Sequence, residues 1–157
     1  MIHSISWYIV LLVSVPETFL YLSIGFNLFN LKISNKKILT LAILNGIIVY
    51  YLRGLSLVFG IHTILILLFL VMLSRTMLKL KIIYSLISIT AGILITGLIQ
   101  SALLPLVISA MKIDLNNITN DSWLNFFLFI PALIAMLILD FFIKKYRYTL
   151  YNFEIDE

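Results

Sequence analysis

The chain has 157 residues, of which 62% are hydrophobic and 11% are charged, and its formal net charge is +4. A soluble domain carries about 25% charged residues, so this composition excludes an ordinary water-soluble protein, and the length leaves no room for a soluble catalytic domain beside several membrane spans. The sequence contains no cysteine, which excludes disulfides, thiolate metal sites and cysteine nucleophiles.

Five apolar runs predict an all-α polytopic membrane protein with five transmembrane helices. The runs cover residues 5–31, 38–52, 58–73, 82–111 and 123–143. The second and third runs are short for a hydrocarbon core that needs about 20 apolar residues. We expect two spans joined by a tight outer turn, and the alternative is a re-entrant hairpin that does not fully cross.

The placement of the basic residues predicts the orientation of the helices. Nine of the 11 Lys and Arg residues follow the first, third and fifth runs, and only Arg53 and Lys112 lie in the other connections. Short loops rich in Lys and Arg stay cytoplasmic. We therefore expect an outer N-terminus, a transmembrane domain over residues 1–147 and a short cytoplasmic tail over residues 148–157.

The predicted location is the bacterial inner membrane, as a multi-pass protein. The heavy use of Ile, Leu, Asn and Lys favours a prokaryotic source. Because the basic residues sit at helix ends, where they set topology and meet anionic headgroups, the positive charge indicates a lipid bilayer as partner and no nucleic acid.

One carboxylate, Glu17, lies deep inside an apolar run. A charged side chain at such depth costs about 3 kcal/mol or more and is a functional hypothesis by default. Glu17 and Arg53 lie 15 and 16 residues from the basic residues of the connection that their helices share, so both are expected roughly 22–24 Å above it. The same arithmetic brings His62 and Gln100 to similar heights on the third and fourth helices.

The sequence thus predicts a polar cluster of Glu17, Arg53, His62 and Gln100 in the outer half of the membrane, with Asn45 deeper on the second helix. The functional interpretation is a site for an external small molecule or peptide, or a proton-sensitive switch through His62. The alternative is a Glu–Arg pair that neutralises itself and only holds the helices in register.

Small and hydroxylated residues mark two predicted helix-packing faces. Ser88, Gly92 and Thr96 recur every four residues on the fourth helix, and Ala42 and Gly46 do so on the second. Such faces allow helices to approach closely. The alternative for the fourth helix is a seam between two copies of the chain. In the fifth helix, Asp140 and Lys144 are expected to form an i,i+4 ion pair.

The sequence lacks the motifs that would indicate catalysis. It has no P-loop, no H-E-x-x-H and no G-x-S-x-G, and its two histidines are too few for a metal or haem site built from His. We therefore expect no metal, no cofactor and no enzymatic activity.

Several stretches resemble the N-terminal membrane region of GHKL-type sensor histidine kinases from Firmicutes. They are Pro16 to Leu20 with Ser23 to Gly25, Tyr51 to Arg53, Phe59 to Thr63, and Lys144 to Arg147. The resemblance implies sensor positions at Glu17, Arg53 and His62. It also implies a dimerising helix and an ATP-binding domain after the last span, and because the 157 residues contain neither, kinase activity is not carried over.

The leading hypothesis is an integral membrane sensor or regulatory module. It would bind an external ligand or partner through the outer polar cluster and signal to the cytoplasmic side. It would act on a protein partner or as a homodimer, or it would be a fragment of a longer receptor. The first alternative is a small membrane transporter or a substrate-binding transporter subunit that uses the same cluster. The second is a membrane scaffold that assembles through the face of the fourth helix.

Overall fold

The computed structural model describes residues 7–53, 61–111 and 122–153, and these ranges contain five α-helices and no β-strand. The helices are α1 (Trp7–Leu28), α2 (Asn35–Arg53), α3 (Ile61–Leu78), α4 (Ile82–Met111) and α5 (Ser122–Tyr146). The all-helical prediction is confirmed. The predicted bounds differ by up to five residues, because an apolar run marks the segment that avoids water, whereas a helix ends where its hydrogen bonds end.

Four of the helices, α1, α3, α4 and α5, are long and apolar enough to cross a membrane, which indicates a membrane protein with several spans. The helix that does not reach this standard is α2. It carries Lys36 and Lys37 in its first turn and Asn45 in its middle, and these polar residues lower its mean hydropathy. Four of the five predicted spans are therefore supported by the length and composition of their helices, and the span predicted at α2 stays a prediction.

The centre of the bundle is α1. It packs against α2, α4 and α5, and the outer helices also pack in order, α2 on α3, α3 on α4 and α4 on α5. In α1, 56% of the segment Leu11–Leu28 is buried, against 17–33% of the corresponding segments of α3, α4 and α5. The outer helices expose many large apolar side chains, which is the surface expected to face lipid acyl chains.

One end of the bundle comprises the α1–α2 connection, the α3–α4 turn and the segment after α5, and we call it the basic end. The helices that finish there stop at residues in the left-handed conformation, Asn30 (φ 55°), Lys79 (φ 57°) and Arg147 (φ 49°). After α1 and α5, the next residue donates its N–H to the carbonyl five residues earlier. This closure satisfies a carbonyl that the helix end would leave unpaired.

The segment 148–153 folds back onto the basic end. The Leu150 N–H donates to the Leu28 carbonyl oxygen at 2.7 Å. The buried Phe153 ring stacks on Phe29 and Tyr84, with centroids 5.0 and 4.3 Å apart. The tail predicted from residue 148 is thus packed against the bundle as far as Phe153, because its aromatic residues find an apolar surface, and residues 154–157 lie outside the described part.

Candidate functional site

Two residues of the predicted polar cluster, Glu17 and Gln100, meet between α1 and α4. The Gln100 Nε2 donates to the Glu17 Oε1 at 2.7 Å, and both side chains are half-buried. Their meeting follows from the crossing of the helices at Gly25 and Gly92. Glu17 lies eight residues before Gly25, and Gln100 lies eight residues after Gly92. Because the two helices run antiparallel, both side chains reach the same height, about 12 Å from the crossing.

A cavity of about 170 Å³ with both polar and apolar lining residues lies beside Glu17, between α1, α2, α3 and α4. Its polar lining residues come mainly from the central helix, and its apolar lining residues close the remaining sides. The polar residues are Ser14, Glu17, Thr18, Tyr21, Asn45 and Thr63, and the apolar ones are Val49, Ile66 and Ile93. Thr63 is exposed and lies in the first turn of α3, so it marks the mouth of the cavity at the end opposite the basic end.

The floor of the cavity is the buried amide of Asn45. Its Nδ2 donates to the Thr18 hydroxyl at 2.9 Å and to the Tyr21 hydroxyl at 3.2 Å. Its Oδ1 is buried and has no hydrogen-bond partner among the described residues, and the same is true of the Ser14 hydroxyl. A buried polar atom without a partner costs about 1–3 kcal/mol. The Asn45 Oδ1 therefore favours a guest that donates a hydrogen bond, and the Ser14 hydroxyl can donate or accept one.

Of the other two residues of the predicted cluster, only His62 has a described side chain, and it stands apart from this cavity. His62 is half-buried next to Thr63 and is not a lining residue, and its Nδ1 is buried without a hydrogen-bond partner within the described ranges. Arg53 is the last residue of α2, and its side chain lies outside the described part of the structure. The Glu17–Arg53 pair therefore stays a prediction.

Sequence reasoning missed most of the cavity, although α1 carries a signal for it. Ser14, Glu17, Thr18 and Tyr21 follow the spacing i, i+3, i+4 and i+7, which places four polar side chains on one face of a helix. From the sequence, heights were compared for charged and amide side chains, and the hydroxyl groups near Glu17 were not considered. Of the four residues on this face of α1, Glu17 alone was therefore identified. Asn45 was expected below Glu17, and it does bond to Thr18 and Tyr21, one turn closer to the basic end.

The predicted packing faces lie inside the bundle. Ser88, Gly92 and Thr96 are buried, and a Cβ atom on Gly92 would overlap the Tyr21 carbonyl oxygen. On α2, Ala42 is buried, and a Cβ atom on Gly46 would come within 2.8 Å of the Val15 side chain. Both faces therefore pack on α1. Within the chain, α1 occupies the α4 face, and the alternative of a seam between two copies stays a prediction.

A second polar cluster joins α1 to α5. The predicted ion pair is confirmed, with the Lys144 Nζ 2.7 Å from the Asp140 Oδ2. The buried Ser23 hydroxyl donates to the other oxygen, Asp140 Oδ1, also at 2.7 Å. The contact with Ser23 was not foreseen, because it joins residues 117 positions apart in the sequence. Asp140 is 6% exposed and has partners on both oxygens, which assigns it a structural role.

Chemically, the arrangement around Glu17 can hold a ligand through hydrogen bonds. The lining offers a carboxylate, an amide and hydroxyl groups, which are acceptors and weak donors. Within the described ranges, no three residues of the His, Cys, Asp and Glu types are grouped so that they could hold a metal ion. The chain matches no protein-family model, no curated protein and no solved structure at a significant level. The resemblance to kinase membrane regions therefore stays a prediction.

Proposed function

We propose that the protein is a membrane-embedded sensor or regulatory module whose cavity beside Glu17 binds a small, hydrogen-bond-donating ligand. One observation carries the proposal: about 170 Å³ of space adjoins a carboxylate, the buried Asn45 Oδ1 and the buried Ser14 hydroxyl, and neither of the last two has a hydrogen-bond partner among the described residues. A cavity of this size holds several waters or a small solute. A ligand that donates to these atoms recovers the free energy that their burial costs.

The chemistry of the walls favours an amino group as the recognised part of the ligand. An ammonium donates up to three hydrogen bonds, and a carboxylate such as Glu17 strengthens such bonds because they become charge-assisted. Either a small amine or the amino group of a peptide meets this requirement. A simple anion does not, because Glu17 would repel it.

The proposal includes an orientation. The cavity mouth at Thr63 lies at the end opposite the basic end, and Lys- and Arg-rich ends stay cytoplasmic. The ligand then arrives from outside, with α2 as the fifth span. A chain without cysteine allows a direct test. We expect Met111→Cys to react with an impermeant maleimide in intact cells and Thr149→Cys to react only after permeabilisation. The opposite labelling pattern would reverse the orientation.

The central helix offers the route for the signal. Glu17 lies at the cavity, and Leu28, 11 residues further along α1, holds the segment 148–153 through its carbonyl group. A ligand that shifts α1 at Glu17 therefore moves the support of this segment about 16 Å away. The resemblance to sensor-kinase membrane regions agrees with this proposal, and a separate protein partner would receive the signal.

The first experiment is to purify the tagged chain in a mild detergent and identify bound proteins and small molecules by mass spectrometry. The variant Thr63→Leu narrows the cavity mouth, and Thr76→Leu is its control, because Thr76 is exposed on the same helix and does not line the cavity. We expect a retained amine that Thr63→Leu loses and Thr76→Leu keeps, together with a cytoplasmic regulatory partner. Retention of the same compounds by both variants would contradict the cavity as the site.

A transporter is the second candidate, and one observation favours it. Glu17 lies 10 residues after Trp7 and 11 residues before Leu28, at the middle of α1, and the substrate sites of many transporters lie near the bilayer midplane. A bound amine with no protein partner would favour this candidate. Uptake of that amine into proteoliposomes, reduced by Thr63→Leu and not by Thr76→Leu, would then establish transport.

A further inference from the structure

A second pocket, of about 380 Å³, lies at the basic end and is separate from the cavity beside Glu17. Its walls come from the α1–α2 connection, the α3–α4 turn and the segment after α5. Four of its lining residues are lysines, Lys32, Lys37, Lys79 and Lys81, and the rings of Tyr84 and Phe153 also line it. The pocket therefore brings together two pairs of basic residues that are 42 to 49 positions apart in the sequence.

The electrostatics of this pocket favour an anion. All four lysines are exposed, and the lining residues that the structure describes include no carboxylate. The ammonium groups of Lys37, Lys79 and Lys81 around one space repel each other, and a multivalent anion between them replaces that repulsion with attraction. The Lys81 Nζ lies 5.0 Å from the centroid of the Tyr84 ring, so an aromatic side chain holds at least one of these cations beside the pocket.

Two helix beginnings add to the positive potential. Ser34, which lines the pocket, directly precedes α2, and Lys81 directly precedes α4. The N-terminus of a helix carries roughly half a positive charge. With the two helix ends and the four lysines facing the same space, the pocket has the electrostatics of an anion site. Hydroxyl groups on Ser34 and Tyr84 supply neutral hydrogen-bond donors.

We propose that this pocket binds a phosphate-bearing anion. Lysine ammonium groups are common phosphate ligands, and basic pockets between helices at a membrane surface bind the headgroups of acidic lipids. A lipid headgroup and a soluble phosphate compound share this chemistry.

The test measures ligand binding to the full chain in neutral detergent by native mass spectrometry and thermal unfolding. The lipid probe is dioleoyl phosphatidylglycerol at a low mole fraction, compared with dioleoyl phosphatidylcholine. The soluble probe is pyrophosphate. The double variant Lys37→Gln, Lys81→Gln removes two lysines from the pocket. Its control, Lys36→Gln, Lys145→Gln, removes the same charge from exposed residues that do not line the pocket.

We expect the pocket variant to bind its ligand about 30-fold more weakly, at about fivefold for each lysine, and the control variant to stay within about twofold of the native chain. Preference for phosphatidylglycerol over phosphatidylcholine assigns the ligand to the membrane, and binding of pyrophosphate alone assigns it to solution. Equal losses in the two variants, or binding of neither probe, would overturn the proposal. All measurements are also repeated in chains that carry Glu154→Gln, Asp156→Asn and Glu157→Gln. These substitutions remove three carboxylates that would otherwise compete with the probe for the lysines.

Discussion

Gly25 of α1 and Gly92 of α4 lie against each other so closely that a Cβ atom on Gly92 would sit 3.4 Å from the Gly25 Cα and overlap the Tyr21 carbonyl oxygen. The Cβ atom of any other residue at Gly25 would in turn overlap the Ser88 carbonyl oxygen. This backbone contact fixes the register of the two helices. The Gln100–Glu17 hydrogen bond, eight residues further along each helix, depends on that register.

The first prediction concerns Gly92. Replacing Gly92 by Leu is expected to destabilise the fold by about 3 kcal/mol, because the added side chain meets backbone atoms that cannot move without separating α1 from α4. Thermal unfolding followed by far-UV circular dichroism in detergent measures the loss. Gly97→Leu is the control, because a Cβ atom there has no neighbour within 4 Å. Equal stability of the two variants would show that the close crossing does not form.

The second prediction concerns the contact between Glu17 and Gln100. In a double-mutant cycle of Glu17→Leu and Gln100→Leu, we expect a coupling energy of about 0.5–2 kcal/mol, because the two side chains share a hydrogen bond at 2.7 Å and leucine at either position removes it. The free energy of unfolding in detergent provides the measurement. If the losses of unfolding free energy in the two single variants add up to the loss in the double variant, the two side chains do not interact.

The third prediction concerns the ion pair that the sequence predicts between Glu17 and Arg53. Glu17→Gln should destabilise or deregulate the protein, because Arg53 loses its counter-charge. A cycle with Arg53→Leu measures the pairing separately from the contact with Gln100. Independence of the two substitutions would leave the hydrogen bond from Gln100 as the main role of the carboxylate.

The fourth prediction concerns the link between α1 and α5. Ser23→Ala removes the donor to Asp140 Oδ1 and should cost about 1–2 kcal/mol, since a buried carboxylate oxygen loses its partner. The control is Ser101→Ala, because among the described residues the exposed Ser101 hydroxyl bonds only to the Leu98 carbonyl oxygen of its own helix. Unfolding titrations in detergent compare the two. A cost no greater than that of the control would argue against the cross-helix bond.

The fifth prediction concerns the segment 148–153. Phe153→Ala removes a ring that stacks on both Phe29 and Tyr84, so the segment should leave the basic end. A nitroxide attached to Thr149→Cys reports this release as a gain in mobility, and Tyr148→Ala is the control because Tyr148 is 60% exposed. If the label is equally mobile with and without Phe153, the stacked ring does not hold the segment.

Local pattern accounts for what could be foreseen in the site. The 3.6-residue geometry of a helix places Asp140 and Lys144 side by side wherever the helix lies, and this pair was predicted and is present. The heights of Glu17 and Gln100 also follow from counting residues along helices. Neither pattern tells which helices are neighbours, so Ser23 as a partner of Asp140 and Asn45 as a partner of Tyr21 were not foreseen.

The sequence by itself determined the helical class, the membrane character of the long apolar helices and the concentration of basic residues near alternate connections, because each depends on composition and short-range spacing. Only the tertiary structure decided that α1 is central, that the face of Gly92 is filled by α1, and that Phe153 returns to the bundle. These outcomes depend on close fit between backbones and rings far apart in the chain. Shape complementarity of that kind depends on which helices pack against each other in the folded protein.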